Sequence, residues 1–226
     1  MPTFVPKLET LPKAQQEIWP HLKPAIDLGF VLYGGTAIAL QLGHRESVDF
    51  DFFTEKKLDK NAIYENLAFL HNSIVLQDEP NTLSVLYKNA EQKTVKFSFF
   101  GNLSIGRYKE PLTTEDGTLL VASLDDLMAT KLKVVMQRIE TKDYRDIAAM
   151  LQHGVSLTRG LNIANKMFEP TFSPVHCLKT LQYFEGGDLH LLTQNEKQTL
   201  KNSVHSIIKN LSISKDVVLV ENLSIR

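Results

Sequence analysis

The sequence predicts an α/β half followed by an α-helical half. From about residue 30 to residue 122, short β-branched and aromatic runs alternate with amphipathic segments. Beyond Ser123 the pattern is helical to the end, with glycines and prolines as breaks. The chain has 226 residues with a hydrophobic fraction of 43%, enough for one large core or two small ones. We predict two domains, an α/β domain over 1–123 and a helical bundle over 124–226.

The first half reads as a mixed set of strands and helices. "FVLYGG" is a short strand closed by glycines, and "TAIALQLG" is a helix ended by Gly43. "VDFDFF" alternates with period two, and "KNAIYENLAFL" is an amphipathic helix. The turn-like separators "DEPN" and "KNAEQK" predict antiparallel pairing of "SIVLQ", "TLSVLY" and "TVKFSFF". "GTLLVAS" is a further strand candidate.

The second half opens with a capping signal. Ser123 and Asp126 form an S-x-x-D pattern, which predicts a helix that begins there and runs to about Glu140. Asp126 and Lys133 fall on the side of this helix opposite its apolar face, so we expect them in solvent. The breaks in the remaining sequence predict helices at about 143–152, 157–168, 174–184 and 193–211.

Composition limits the class of protein. The formal net charge is −1, so any surface that attracts a polyanion must be local. A single cysteine excludes an intrachain disulfide and favours a reducing compartment. The first residues lack a signal-peptide pattern, and no stretch approaches the roughly 18 apolar residues of a membrane span. We expect a soluble cytoplasmic protein without a membrane partner.

Two carboxylates stand out in the strand "SVDFDFF". On a strand, alternate residues share a face, so Asp49 and Asp51 point the same way, with backbones about 6.5 Å apart. Two such carboxylates repel each other, and a divalent cation would remove that repulsion. The arrangement fits phosphoryl transfer assisted by two metal ions roughly 4 Å apart. The alternative is an edge strand whose acids only face water.

A glycine pair precedes these acids. Gly34 and Gly35 lie at a predicted strand-to-helix junction, where glycine lets backbone N–H groups approach a phosphate. The alternative is a plain tight turn. The sequence is neither a P-loop nor a dinucleotide-binding fingerprint.

Two cations fall on an apolar helix face. Lys131 and Arg138 are seven residues apart within the stripe that should face the core. Such cations need an anion or must extend along their own stems to water. One interpretation is an ion pair with Asp143 or Asp146 that holds two helices together; the other is that both cations line a cleft and meet a bound triphosphate.

These residues resemble a known family. "GGTAIALQLGHRESVDFDFF" is similar to the first motif of the AbiEii-type nucleotidyltransferases, a minimal branch of the polymerase-β-like superfamily. "DDLMATKLKVVMQRIETKDYRDIAAML" resembles the later motif of that family. The resemblance spans roughly residues 28–152. It implies a minimal polymerase-β-like mixed sheet with flanking helices, followed by helices, in a toxin–antitoxin or phage-defence setting.

The resemblance also assigns roles. Asp49 and Asp51 would hold Mg²⁺ (or Mn²⁺), and an NTP would donate its nucleotidyl group to an acceptor, RNA and specifically tRNA. Lys131 would face the triphosphate, and Asp143 or Asp146 would be the late acidic residue. The expected protein partner is a cognate antitoxin. The nucleotide-binding set would be Gly34, Gly35, Thr36, Arg45, Ser47 and Arg138.

The sequence departs from the superfamily at one point. A third carboxylate is expected from a later strand, but "TVKFSFF" offers only Lys96 and Ser98 on its polar face. Asp78 and Glu79, in a predicted turn, are weak substitutes. A second hypothesis is therefore a degenerate nucleotidyltransferase fold that binds nucleotide, RNA or protein without turnover.

Overall fold

The structure is a computed structural model that describes residues 2–213, with side chains described up to residue 209. It contains two compact units. Of the described residues, the first comprises 2–106 and 110–123, and the second comprises 107–109 and 124–213. That these units are independent domains stays a prediction.

The first unit is built on one mixed sheet. In the described residues this sheet has eight strands, which are β1 (Thr3–Phe4), β2 (Val31–Tyr33), β3 (Asp49–Phe53), β4 (Ile74–Glu79), β5 (Thr82–Lys88), β6 (Thr94–Phe100), β7 (Leu112–Thr114) and β8 (Leu120–Val121). Their order across the sheet is β1-β7-β8-β2-β3-β6-β5-β4. The central strand β3 pairs antiparallel with β2 and parallel with β6, while β4, β5 and β6 form the predicted antiparallel meander. The mixed α/β fold class is therefore confirmed.

Aromatic side chains bury one face of the central strands. Phe50 and Phe52 of β3 are fully buried and lie opposite Phe97 and Phe99 of β6. The ring centroids are 5.2 Å and 5.4 Å apart in the two cross-strand pairs. Because side chains alternate along a strand, burial of these phenylalanines turns Asp49 and Asp51 to the other face.

Helices flank the sheet within the first unit. They are α1 (Lys13–Ile18), α2 (Pro24–Asp27), α3 (Gly34–Leu42) and α4 (Lys60–Asn66). Gly43 ends α3 in a left-handed conformation, and its N–H donates to the Ala39 carbonyl at 2.8 Å. The predicted helix "KNAIYENLAFL" is two elements, because α4 stops at Asn66 and a 3-10 helix covers Ala68–Asn72.

The second unit is helical. Its helices are α5 (Leu124–Val135), α6 (Thr141–Gln152), α7 (Leu157–Met167), α8 (Pro174–Thr180) and α9 (Gln194–Ile213). Serine side chains cap α7 and α8: Ser156 accepts from the Arg159 N–H, and Ser173 accepts from the His176 N–H. The predicted helices beyond Ser123 are thus present, although α8 is four residues shorter than predicted.

Helix α5 ends five residues earlier than predicted. A tertiary contact lies in the segment that follows: the Gly187 backbone packs on the Ile139 carbonyl, and any Cβ at position 187 would overlap it. The Asp188 carboxylate also accepts the Thr141 N–H at 2.6 Å, which fixes the start of α6. Residues 136–140 therefore form a loop, and Arg138 lies in that loop rather than on α5.

The expected exposure of Asp126 was wrong. Only 1% of this residue is exposed, and its carboxylate accepts the N–H groups of Tyr108 at 2.6 Å and Lys109 at 3.1 Å. A neighbouring loop, not solvent, satisfies it. Among the described residues, every helix is too short or too polar to cross a bilayer.

Candidate active site

The two acids of β3 lie in the interior of the sheet. Strand β3 has β2 on one side and β6 on the other, so the interpretation of β3 as an edge strand was wrong. Asp49 and Asp51 alternate with the fully buried Phe50 and Phe52, and both aspartates are half-buried. The predicted common face is therefore present.

Asp51 sits directly over the first glycine of α3. Gly34 has a φ of 74°, in the left-handed region, and a Cβ there would overlap the Asp51 carboxylate. Tyr33, immediately before it, is the register partner of Asp51 across β2 and β3. The absence of a side chain at position 34 thus lets a carboxylate reach the start of a nine-residue helix.

The second glycine accommodates an arginine. A Cβ at Gly35 would overlap the Arg45 guanidinium and would lie 3.3 Å from the Ser47 hydroxyl. Arg45 also donates to the Glu46 carbonyl at 2.8 Å. A guanidinium and a hydroxyl therefore converge on the first turn of α3, beside the Asp51 carboxylate.

Thr36 links these elements. Its hydroxyl lies 2.9 Å from the Ser47 hydroxyl and donates to the backbone carbonyl of Asp49. Thr36 is only 1% exposed, and Ser47 is 5% exposed. The site residues predicted in the first half are thus close together: Gly34, Gly35, Thr36, Arg45, Ser47, Asp49 and Asp51. Thr36 and Ser47 hold the segment rather than project into an opening.

The register identifies what lies beside the acids. On β6, Lys96 is the register partner of Asp49 and Ser98 is the register partner of Asp51. These are the positions from which a neighbouring strand would supply a third carboxylate. Asp78 and Glu79 lie on β4, at the end of the sheet and two strands beyond β6, and Asp78 pairs with Lys60. Neither acid is a substitute.

The donor set fits one divalent cation better than a closed metal cage. Among residues 2–209, no cluster of three or more histidine, cysteine, aspartate or glutamate side chains could hold an ion. Mg²⁺ commonly binds through one or two carboxylates and completes its shell with water and substrate phosphates. Asp49 and Asp51, half-buried and beside a glycine turn, match that pattern.

The predicted residues of the second half form a separate cluster within the second unit. Lys131, 5% exposed, pairs with Asp143 at 2.6 Å and with Asp146 at 2.7 Å. Arg138 donates from Nε to the other Asp143 oxygen at 2.8 Å. The ion pair left open by the sequence is therefore present, and it joins α5 to α6. A role for Lys131, Asp143 or Asp146 in catalysis stays a prediction.

Electrostatics keep Asp143 charged. Burial by itself would raise the pKa of the Asp143 carboxyl, but the hydrogen bond from Arg138 and the charge of Lys131 outweigh burial and hold the pKa below its usual range. A carboxylate stabilised in its ionised form is a weak general base. This cluster therefore has the properties of a rigid ion-pair network.

Sequence reasoning missed Asp188, which fixes the start of α6. Its carboxylate accepts the Thr141 N–H, and its carbonyl accepts from the Thr141 hydroxyl. The hydrogen bond from the Thr141 N–H lowers the pKa of Asp188. The Gly-Gly-Asp run marks a turn, but nothing local connects that turn to a residue 47 positions earlier.

Comparison with known proteins gives consistent similarities. A family model described as "Nucleotidyl transferase AbiEii toxin, Type IV TA system" matches residues 22–206. An uncharacterized protein of Aquifex aeolicus (strain VF5) is 29% identical over 222 residues, covering 90% of this chain and 100% of the relative.

Two solved structures share the fold. A putative nucleotidyltransferase from H. pylori aligns with a TM-score of 0.56 at 20% identity, covering 88% of this chain and 95% of the other. The nucleotidyltransferase toxin MenT4 of Mycobacterium tuberculosis H37Rv aligns with a TM-score of 0.57 at 12% identity, covering 88% and 92%. At these identities the likeness concerns the fold.

Proposed function

This chain belongs to the nucleotidyl transferase AbiEii toxin family, and from that premise we propose that it transfers a nucleotidyl group from an NTP to an RNA acceptor, with tRNA as the first acceptor to test. The observation that carries the proposal is the pair Asp49 and Asp51 on one face of an inner strand, with Asp51 lying against Gly34 at the start of α3. A helix N-terminus with an accessible backbone favours phosphate, and the paired acids favour the cation that accompanies it.

The reaction is a substitution at the α-phosphorus. A hydroxyl of the acceptor forms a new O–P bond, the bond to the β-phosphate oxygen breaks, and pyrophosphate leaves with the electron pair. The hydroxyl proton passes to water, since β6 offers Ser98 and Lys96 where a carboxylate base would lie. Such transfers depend mainly on positioning and charge stabilisation, so a missing base slows the reaction without preventing it.

The residues around Asp49 and Asp51, which we call the first cluster, have separate roles in this proposal. Asp49 and Asp51 would hold Mg²⁺ or Mn²⁺, which when bound neutralises and orients the triphosphate. Gly34 and Gly35 leave room at the first turn of α3 for the Asp51 carboxylate and the Arg45 guanidinium, and that guanidinium would supply positive charge to a bound phosphate. Lys131 and Arg138 would contact the triphosphate.

The setting follows from the family. Its description as a type IV toxin–antitoxin system leads us to propose a cognate antitoxin, or a role in phage defence. The single buried cysteine fits a reducing, cytoplasmic compartment.

The test is incorporation of label. The protein is incubated with each α-labelled NTP, Mg²⁺ or Mn²⁺, and total RNA, and the RNA is resolved on a denaturing gel. We expect one NTP to label a tRNA-sized band, and Asp49→Asn and Asp51→Asn each to lower the rate by at least about 10²-fold. No incorporation with any NTP, from a sample with native melting behaviour, would contradict the proposal.

The neighbours of the acids favour one second candidate. Because Ser98 and Lys96 flank Asp51 and Asp49, the fold could bind NTP and metal without turnover. Calorimetry separates the two: NTP–Mg²⁺ binding that is lost in Asp49→Asn, with no labelled RNA under any condition, identifies a binding module.

A further inference from the structure

The second unit contains a pocket that shares only Arg138 with the residues named in the proposed function. Its volume is about 520 Å³, within the size range of small-ligand sites. The loop after α5, Tyr144 of α6, and α8 with the residues that follow it supply the walls. The side chains that matter chemically are Arg138, Tyr144, His176, Lys179 and Tyr183.

The lining is basic and contains no acid. Arg138, His176 and Lys179 line the pocket, and no aspartate or glutamate does. Arg138 is balanced by Asp143 and Glu140. Behind the lining, Lys131 pairs with Asp143 and Asp146, and Lys142 pairs with Glu140. Lys179 is exposed and forms no ion pair with any residue that the structure describes, so it provides the surplus charge of the rim.

An aromatic ring stands beside this charge. Tyr183 is 50% exposed and lines the pocket, so part of its ring is available to a ligand. His176 and Lys179 lie three residues apart on α8, and Tyr183 lies three residues beyond the end of that helix; all three line the pocket. A cation and an exposed ring in one pocket suit a phosphate and the base attached to it.

The pocket is held rigid from behind. The Tyr144 ring is fully buried, and its hydroxyl donates to the Thr180 carbonyl at 3.3 Å. The Arg138 loop is fixed by Asp143 on one side and by the contact of Gly187 with Ile139 on the other. A preformed wall lowers the ordering cost of binding.

We propose that this pocket binds a single-stranded segment of RNA, with a base stacked on Tyr183 and the adjoining phosphate on Lys179. Base-on-ring stacking with a nearby cation is the mode by which proteins hold unpaired nucleotides with little sequence preference. A duplex would not present an unstacked base to Tyr183. The inference rests on the proposed function only in taking the ligand to be RNA.

The test is direct binding without catalysis. A fluorescein-labelled 12-nucleotide single-stranded RNA of mixed sequence is titrated by anisotropy at several salt concentrations. We expect Tyr183→Ala to weaken binding by at least about 5-fold, and Tyr183→Phe, which keeps the ring, to bind like wild type. We expect Lys179→Ala to weaken binding and to reduce the slope of log K against log salt by about 0.7.

Controls separate the pocket from general charge. Lys166→Ala removes an exposed lysine of α7 that does not line the pocket and should leave affinity unchanged. A 12-base-pair RNA duplex should bind more weakly and should not respond to Tyr183→Ala. Equal affinity of wild type and both Tyr183→Ala and Lys179→Ala, or an equal response of the duplex, would overturn the inference.

The inference and the proposed function fail separately. The double variant Asp49→Asn, Asp51→Asn should lose transfer and keep RNA affinity. If wild type shows no transfer but Tyr183→Ala still loses RNA binding, the pocket stands and the transferase does not. If wild type transfers normally but no RNA response maps to Tyr183 or Lys179, the pocket is overturned alone.

Discussion

At the scale of single residues, the first cluster depends on positions where only glycine fits. Gly34 is one, because its left-handed backbone and the overlying Asp51 carboxylate both exclude a side chain. Gly35 differs, because its own backbone is not left-handed and a Cβ there would meet only the flexible end of Arg45 and the Ser47 hydroxyl. The sequence indicated both glycines as one turn, whereas the neighbours of each decide how strictly it is required.

Gly34→Ala should lower the free energy of unfolding by about 1–3 kcal/mol, because alanine is strained in this backbone region. It should also displace Asp51 and weaken NTP–Mg²⁺ binding. Urea titration and calorimetry measure the two effects. Gly35→Ala is the matched control and should cost less, because Arg45 can move; equal behaviour of the two variants would contradict this account.

Cys177 should be inert to thiol reagents in the folded protein. Burial raises its pKa to about 12, and its Sγ lies 3.6 Å from the Leu132 carbonyl. The reactive thiolate is therefore almost absent at pH 8. A disulfide-exchange reagent should titrate one thiol per chain rapidly in urea and hardly any without it. Rapid reaction of the folded sample would show that the α8 region is open.

At the scale of elements, a buried charge on one helix is balanced by opposite charges on the helix packed against it. Helix α5 places Lys131 on its buried side, and α6 supplies Asp143 and Asp146 to it. Breaking a buried pair by removing one partner typically costs about 3–5 kcal/mol, more than the pair itself contributes.

Lys131→Met should therefore destabilise the protein by about 3–5 kcal/mol at pH 7, since it leaves two buried carboxylates without the lysine that pairs with both. In wild type the lowered pKa of Asp143 contributes stability that is present above its unfolded pKa, about 3.9, and is lost as pH falls through the folded value. In the variant, burial without the charge of Lys131 should raise the pKa of the Asp143 carboxyl, so the variant recovers stability as that carboxyl becomes protonated.

The difference in unfolding free energy between wild type and Lys131→Met should thus narrow as pH falls toward about 4. Urea unfolding at pH 7, 5 and 4 measures it. Lys133→Met is the control on the same helix, because within the described part of the chain Lys133 contacts the Thr171 carbonyl and hydroxyl and the ring of Phe168, and no acid. A pH-independent difference would show that the ion pair is not responsible.

At the scale of the whole molecule, charge is nearly balanced and one sheet edge is exposed. Net charge is −1 and the pI about 6.7, so little repulsion keeps copies apart near neutral pH. Strand β4 ends the sheet, and its Ile74, Val75 and Leu76 are 49%, 50% and 53% exposed. An apolar edge strand offers unpaired backbone groups to another chain.

Val75→Lys should raise the solubility limit at pH 6.7 without changing the melting temperature, because it places a charge on that edge. Light scattering against concentration measures the effect. Val175→Lys is the matched control, since Val175 is 65% exposed but lies on α8. The same gain in both variants would mean that added charge, not the edge, controls association.

The sequence by itself determined the alternation of β3, the glycine turn before α3, the antiparallel meander, the helical second half and the family. Each follows from local periodicity or from residues close together in the chain. Only the tertiary structure decided that β3 lies inside the sheet, that Ser98 and Lys96 flank its acids, that Asp126 is buried, and that α5 stops at Val135. These depend on strand order, register and packing between distant segments, which a local pattern does not encode.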